Sequence, residues 1–576
     1  MQHIRLALIA FLFMVSPAAA QMDARVAAID QHLQQLEKLG FSGAVLIAEG
    51  EKTLLASGYG LADRENNRRW TPTTVSTVGS ITKQFTGAAI MALVDDGRVR
   101  VDDAITKYFD GVPADKQSIT LHQLLTHSSG IVDLEGADDF DPIGRDEFVQ
   151  RAMAQELAFP PGQDYQYSNA GYSLLGAIIE QVTGRNYEAF VRERFFLPAG
   201  MKDTGYLLPA FDPSRLAQGY RGGERWGTVL EHPFAEDGPY WVLRANGGIH
   251  STVEDMYRWG RYLLDGKALS RASMDAYWSP HVDEGGGESF YGYGWVVMDQ
   301  GGARVITHNG GNRIHFADMA IVPAAGIIVV LQCNVLADFP MVNRLLERIG
   351  GHLLAGQPLP LVPDVVARRK SELELYAGTY VLTGGSRIIV EAADGMLDIT
   401  AGDPAAFTAL FSTRAGDPPR ARRHDERIGS IVSAWLKGDV EPLFAAYDGR
   451  APREQLRKTA EETMAAWTQE HGALREHRVI GTAFQENDVT LVRIAFERGH
   501  IDRLYVWDPD AEEKLLGVSP RGLDAVLHVY PQVDGTFASF EARTGTSRPL
   551  RIEAATDGKL QIVLGDADGL RAVRTN

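Results

Sequence analysis

Val78-Gly79-Ser80-Ile81-Thr82-Lys83 sets a serine three residues before a lysine at the head of an apolar helix, and the rest of the chain is read outward from it. From Ile81 to Val94 (ITKQFTGAAIMALV) apolar residues recur on nearly every side, the pattern of a helix enclosed by protein. Residues i and i+3 share a helical face, so the Lys83 amine can reach the Ser80 hydroxyl. Burial disfavours an ammonium charge and lowers the amine pKa, as a serine-activating base requires. Backbone N–H groups at the helix start point toward the serine and can stabilise an oxyanion. An isolated S-x-x-K more often marks an N-cap followed by a lysine on a solvated face.

The match is not isolated. Ser80 and Lys83 form the only S-x-x-K in the chain, and Tyr167-Ser168-Asn169 and His308-Asn309-Gly310 are its only Y-x-N and H-x-G. With Leu124-Leu125-Thr126-His127-Ser128-Ser129-Gly130 and Pro161-Gly162 between them, these motifs resemble, in order and surroundings, the penicillin-recognising serine hydrolases. That family includes class C β-lactamases, D-alanyl-D-alanine carboxypeptidases, D-aminopeptidases and related esterases. The resemblance runs from about Phe41 to Val335. It implies an α/β (α+β) β-lactamase-like domain, an antiparallel sheet flanked by helices with a helical subdomain opposite and the site between them.

It also implies roles. Ser80 is the nucleophile, Lys83 a base, and Tyr167 a proton shuttle toward the serine, the deacylating water and the leaving group. Taken by itself, a tyrosine in such a loop is more often a packing residue with a satisfied hydroxyl. Lys83 near the Tyr167 oxygen would favour phenolate, and Asn169 would orient Lys83 and the substrate amide. The N–H groups of Ser80 and Gly311 would form the oxyanion hole, with Gly310 permitting close backbone approach. His308 stands where the classical penicillin-binding pattern has lysine, which weakens the expectation of carboxylate recognition; Arg313 can replace the lost charge, and His308 can equally be a packed strand residue. Asn246-Gly247-Gly248 and Ser251-Thr252 read as a structural loop and helix cap. The implied function is hydrolysis of amide or ester bonds by a peptidase or esterase, with a β-lactamase or carboxypeptidase, or a non-catalytic sensor, as alternatives.

At 576 residues the chain exceeds one core's usual size. Residues 1–20 (MQHIRLALIAFLFMVSPAAA) combine Arg5, an apolar run and a small-residue end, the pattern of a secretory signal peptide. Export across the inner membrane to the periplasm is expected, without a stable membrane anchor. The single cysteine, Cys333, forbids an intrachain disulfide and sits in what reads as a core strand. A formal net charge of −18 argues against nucleic-acid partners. The histidines lack metal-ligand spacing and no P-loop occurs, so neither metal nor cofactor is implied. The partner expected is a small-molecule or peptide substrate.

The hydrolase domain is expected over 21–355, with helix at 23–39 and strands at 43–48 and 53–59, followed by a proline-rich linker at 356–372. Strand patterns at 373–419 and 518–576 suggest a lipocalin-like β-barrel; between them, residues 420–517 read as an inserted cystatin-like α+β cone.

Overall fold

The computed structural model describes residues 17–312, 314–336, 339–447, 453–509, 511, 513–519, 525–541, 545–565 and 569–575. Most of the leader expected at 1–20, and Arg313, lie outside the described residues. The chain divides into two compact units that meet in sequence between Leu359 and Pro360.

The first unit is built on an eight-stranded antiparallel sheet: β1 (Gly43–Glu49), β2 (Lys52–Tyr59), β3 (Val282–Asp283), β4 (Ser289–Tyr291), β5 (Val296–Gln300), β6 (Ala303–Gly311), β7 (Phe316–Val322) and β8 (Ile327–Cys333). Its order, β2-β1-β8-β7-β6-β5-β4-β3, brings the first and last long strands together, with Gly43 opposite Cys333 and Glu49 opposite Ile327. Every residue of β8 is buried, as its unbroken IIVVLQC run requires for a central strand. Burial pushes the Cys333 thiol up to about 12, which keeps it a protonated packing residue.

Helices α1 (Pro17–Lys38), α2 (Thr82–Asp95), α3 (Asn169–Thr183), α4 (Val253–Leu264) and α5 (Leu345–Ala355) frame this sheet. Gly184 closes α3 in the left-handed conformation, and the Thr252 hydroxyl accepts from Asp255 N to cap α4. A continuous core joins α2 and α3 to the inward face of the sheet, with Phe85, Ile178, Met319 and Ile328 fully buried. On α2 the residues from Thr82 to Leu93 are all buried, so its one lysine is carried into the interior by the apolar surface around it.

In the second unit, β9 (Gly378–Leu382), β10 (Arg387–Ala392) and β11 (Leu397–Ala401) are separated in sequence from β16 (Val526–Pro531), β17 (Phe537–Glu541), β18 (Thr546–Ala554), β19 (Leu560–Leu564) and β20 (Leu570–Arg574). These eight strands close into one barrel, β11 pairing with β16 and β9 with β20. Between the halves run helices Pro404–Phe411, Pro418–Trp435, Glu441–Ala446 and Arg453–His471, then the sheet β12 (Leu474–Phe484), β13 (Asp488–Phe496), β14 (Gly499–Trp507) and β15 (Leu515–Ser519). The helix Pro404–Phe411 lies inside the 373–419 segment expected to belong to the barrel and follows its last strand there; Asp403 accepts from Ala406 N as its cap and Pro404 occupies its first turn. Phe407, Leu410 and Val529 share a core with Ile480, Leu491 and Leu504 of the intervening sheet.

Candidate active site

Ser80 sits in a single 3-10 turn, Gly79–Ile81, immediately before α2. The turn is held from both sides: Val78 N donates to Ile249 O at 2.8 Å, and Thr82 Oγ1 donates to Gly79 O at 2.7 Å. Gly79 has φ +53°, and a Cβ there would lie 2.5 Å from Gly311 N. The opposing requirement falls on Gly310, whose added Cβ would lie 2.1 Å from Val78 O and 2.4 Å from Ser80 N. The paired glycines thus let the end of β6 press directly against the serine turn, which puts Gly310 and Gly311 beside Ser80.

Lys83 is fully buried, and its Nζ lies 3.1 Å from Ser80 Oγ, 2.8 Å from Asn169 Oδ1 and 2.8 Å from the Asn246 carbonyl oxygen. A neutral amine has two protons and one lone pair. The carbonyl-type oxygens of Asn169 and Asn246 take the two protons, which turns the lone pair toward Ser80. Burial pushes the amine down to about 7, against the upward pull of the Asp133 and Asp139 carboxylates.

Tyr167 and Asn169 come from the loop entering α3, where the Ser168 hydroxyl caps the helix by accepting from Gly171 N at 3.0 Å. Tyr167 as a whole residue is 37% exposed, and Lys83 Nζ lies 4.7 Å from its ring centroid. The phenol is hydrogen-bonded to Ser80, yet burial raises its pKa above the usual range, with the Asp133 and Glu284 carboxylates adding to the rise. The direction is opposite to the phenolate expected from Lys83, whose amine sits over the ring face: desolvation is the largest effect and favours the neutral phenol.

His308 is buried with both ring nitrogens engaged. Nδ1 lies 2.5 Å from the Asn309 carbonyl oxygen, to which it donates, so Nε2 accepts from the Tyr291 hydroxyl at 2.8 Å. Burial and the Lys83 charge push its pKa down to about 3, so His308 presents no positive charge.

Three further contributors were given no role by the sequence reading. Asp133 accepts from Asn169 Nδ2 at 3.0 Å and from Ala170 N at 2.9 Å, fixing the amide so that its oxygen faces Lys83. His127, at φ +58°, accepts on Nδ1 from Ser168 N at 3.0 Å and packs its ring 4.2 Å from that of Tyr167. The Asn246 carbonyl, on the loop read as structural, is the third partner of Lys83. His127 stands in the Leu124–Gly130 motif and offered a signal; a backbone carbonyl offers none.

A sheet bounded by helices, with a serine, a buried lysine and a tyrosine meeting beside the end of β6, defines a serine hydrolase of the β-lactamase fold. The family model described as Beta-lactamase matches residues 28–350, and the chain belongs to that family. Penicillin-binding protein 4* of Bacillus subtilis (strain 168) is 28% identical over 381 residues, spanning 62% of this chain and 84% of its own length. The D-aminopeptidase of Brucella anthropi is 29% identical over 301 residues, covering 51% of this chain and 55% of that enzyme. Among solved structures, the octameric penicillin-binding protein homologue from Pyrococcus abyssi aligns with a TM-score of 0.53 at 18% identity, covering 95% of this chain and 100% of that one, a likeness of fold.

Proposed function

We propose that the protein is a secreted, periplasmic hydrolase that cleaves amide or ester bonds of a small-molecule or peptide substrate through an acyl-enzyme on Ser80. The observation that carries this reading is the buried Lys83 amine, 3.1 Å from Ser80 Oγ and with its two other neighbours both acceptors. Ser80 Oγ attacks the substrate carbonyl carbon and its proton passes to Lys83. The developing oxyanion is met by the N–H groups of Ser80 and Gly311. Collapse breaks the bond to the leaving group, which takes the Tyr167 proton. The acyl-enzyme stage then holds a Lys83 ammonium and a Tyr167 phenolate. Water delivers a proton to that phenolate as it attacks the ester, and Lys83 returns its proton to Ser80 as the acid departs. Both groups end as they began, so the cycle balances.

Peptidase or esterase action on substrates lacking a free carboxylate beside the scissile carbonyl fits His308, because a neutral imidazole offers no charged contact where a lysine would. The similarity to proteins named as penicillin-binding keeps a carboxypeptidase or β-lactamase activity as the second reading. Secretion is supported by the leader-like residues 1–20; among the described residues, no helix is long and apolar enough to cross a membrane. The test is intact-mass spectrometry after incubation with a fluorophosphonate, a penicillin and D-amino-acid amides. A single adduct on Ser80, absent in Ser80→Ala, is expected; an adduct on another residue, or turnover surviving Ser80→Ala, overturns the reading.

A further inference from the structure

A cavity of about 630 Å³ opens at Ser80, Tyr167 and Gly311 and runs between the sheet and α5, a volume that accommodates a small organic group. Alternation along β6 sends Val305, Thr307 and Asn309 into it, and Leu346 and Leu353 of α5 line its other wall. Its body is aliphatic. The charged residues that line it are Glu284, Asp318 and Glu347, with neither lysine nor arginine among the described lining residues.

Asp318 is the exceptional member of this wall. It is only 7% exposed, its carboxyl is hydrogen-bonded by the Met319 backbone N–H and lies 3.5 Å from Thr307 Oγ1, and no ion pair to it occurs among the described residues. Burial pushes its carboxyl up to about 8. A carboxyl held neutral by burial beside no cation ionises readily when a cation enters, because a buried carboxylate is costly until one joins it. Asp318 is paired in register with Asn309, two residues from Gly311 along β6, which puts it ~7 Å of strand length from the oxyanion position.

The cavity also has a direction. Tyr167 lines it, whereas Lys83 and Asn169 do not. In the mechanism above, Tyr167 gives its proton to the leaving group, so the departing half of the substrate lies on this side of the scissile bond. We infer that the cavity is the leaving-group subsite, and that it accepts an aliphatic leaving group bearing an ammonium, which pairs with Asp318. This rests on the Ser80 acyl-enzyme reading and adds the chemistry of the departing half.

Two esters of one acyl group, with aminohexyl and heptyl leaving groups, differ in an ammonium against a methyl at the same position. Both give the same acyl-enzyme, so the comparison belongs in kcat/KM, which reports acylation. Wild type should favour the aminohexyl ester by about tenfold or more, and the isosteric Asp318→Asn should reduce that ratio to near one. Hexylammonium should compete with substrate in wild type, and more weakly in Asp318→Asn; this binding measurement needs no turnover by the variant. Equal kcat/KM for the two esters in wild type, a preference retained in Asp318→Asn, or no competition by hexylammonium overturns the subsite. Fluorophosphonate labelling of wild-type Ser80 separates the two ideas: a labelled enzyme without the preference refutes the subsite alone, and an unlabelled Ser80 refutes the mechanism beneath it.

Discussion

The pH dependence of Ser80 acylation tests the Lys83 assignment most directly. An amine with the ordinary lysine pKa of 10.5 is neutral in roughly one molecule in 3,000 at pH 7, whereas one lowered to about 7 is neutral in about half. Burial therefore raises the population of competent base ~1,500-fold at neutral pH. The rate constant for labelling by a fluorophosphonate, followed by intact mass from about pH 5 to about pH 9, should climb tenfold per pH unit and level off near pH 7. Lys83→Met, which keeps the chain length and removes the amine, should lose this limb and almost all of the rate. A wild-type rate that still rises above pH 9, or a wild-type limb retained in Lys83→Met, would refute the assignment. Stability must carry the same signature. The folded pKa lies below the unfolded one, so between about pH 7 and pH 10.5 the unfolded chain binds more protons and stability rises with pH. Below about pH 7 both states are protonated and the full cost of the buried charge is felt, up to about 5 kcal/mol. Denaturant melts should lose this pH slope in Lys83→Met.

Tyr167→Phe should slow both acylation and acyl-enzyme hydrolysis, each by about 10²–10⁴-fold, while the Lys83 limb stays near pH 7; pre-steady-state release of the first product resolves the two steps, and wild-type rates in both count against the shuttle. Gly310→Ala should abolish most turnover while circular dichroism stays native, because its Cβ would meet Val78 O and Ser80 N at 2.1 and 2.4 Å and push the serine turn out of line; wild-type kcat in this variant contradicts the close-approach argument. Replacing residues 418–519 by a short linker should leave an insoluble or loosely packed barrel, since Ile480, Leu491 and Leu504 leave the shared core and each such side chain contributes about 1.5–3 kcal/mol. A soluble remnant with a cooperative melt would show that the barrel folds without them.

What the sequence disclosed and what it withheld divide along a physical line. Ser80 and Lys83 are neighbours through helical spacing, a property of six consecutive residues, and Gly310 announces a close approach because a side chain there would collide. Such features are local and survive without knowledge of the partner. The charge states are sums over distant segments. Whether Tyr167 favours phenol or phenolate depends on burial, on its hydrogen bond to Ser80 and on Asp133 and Glu284, which lie far apart in sequence; reasoning from the Lys83 charge alone left out desolvation, the largest effect. His308 was readable as a departure from lysine, but its neutrality comes from burial and from the Lys83 charge, which outweigh the opposing Asn309 carbonyl, so it needed the packed sheet and the helix that carries Lys83. The alternation of Val305, Thr307 and Asn309 showed that one face of β6 must be covered. That α5 covers it without filling the space is a matter of side-chain volume between elements joined through the whole sheet, and Asp318 gains its meaning only there: as one acidic residue in FADMAIV it is unremarked, and as a carboxyl on the wall of an aliphatic cavity it asks for a cation.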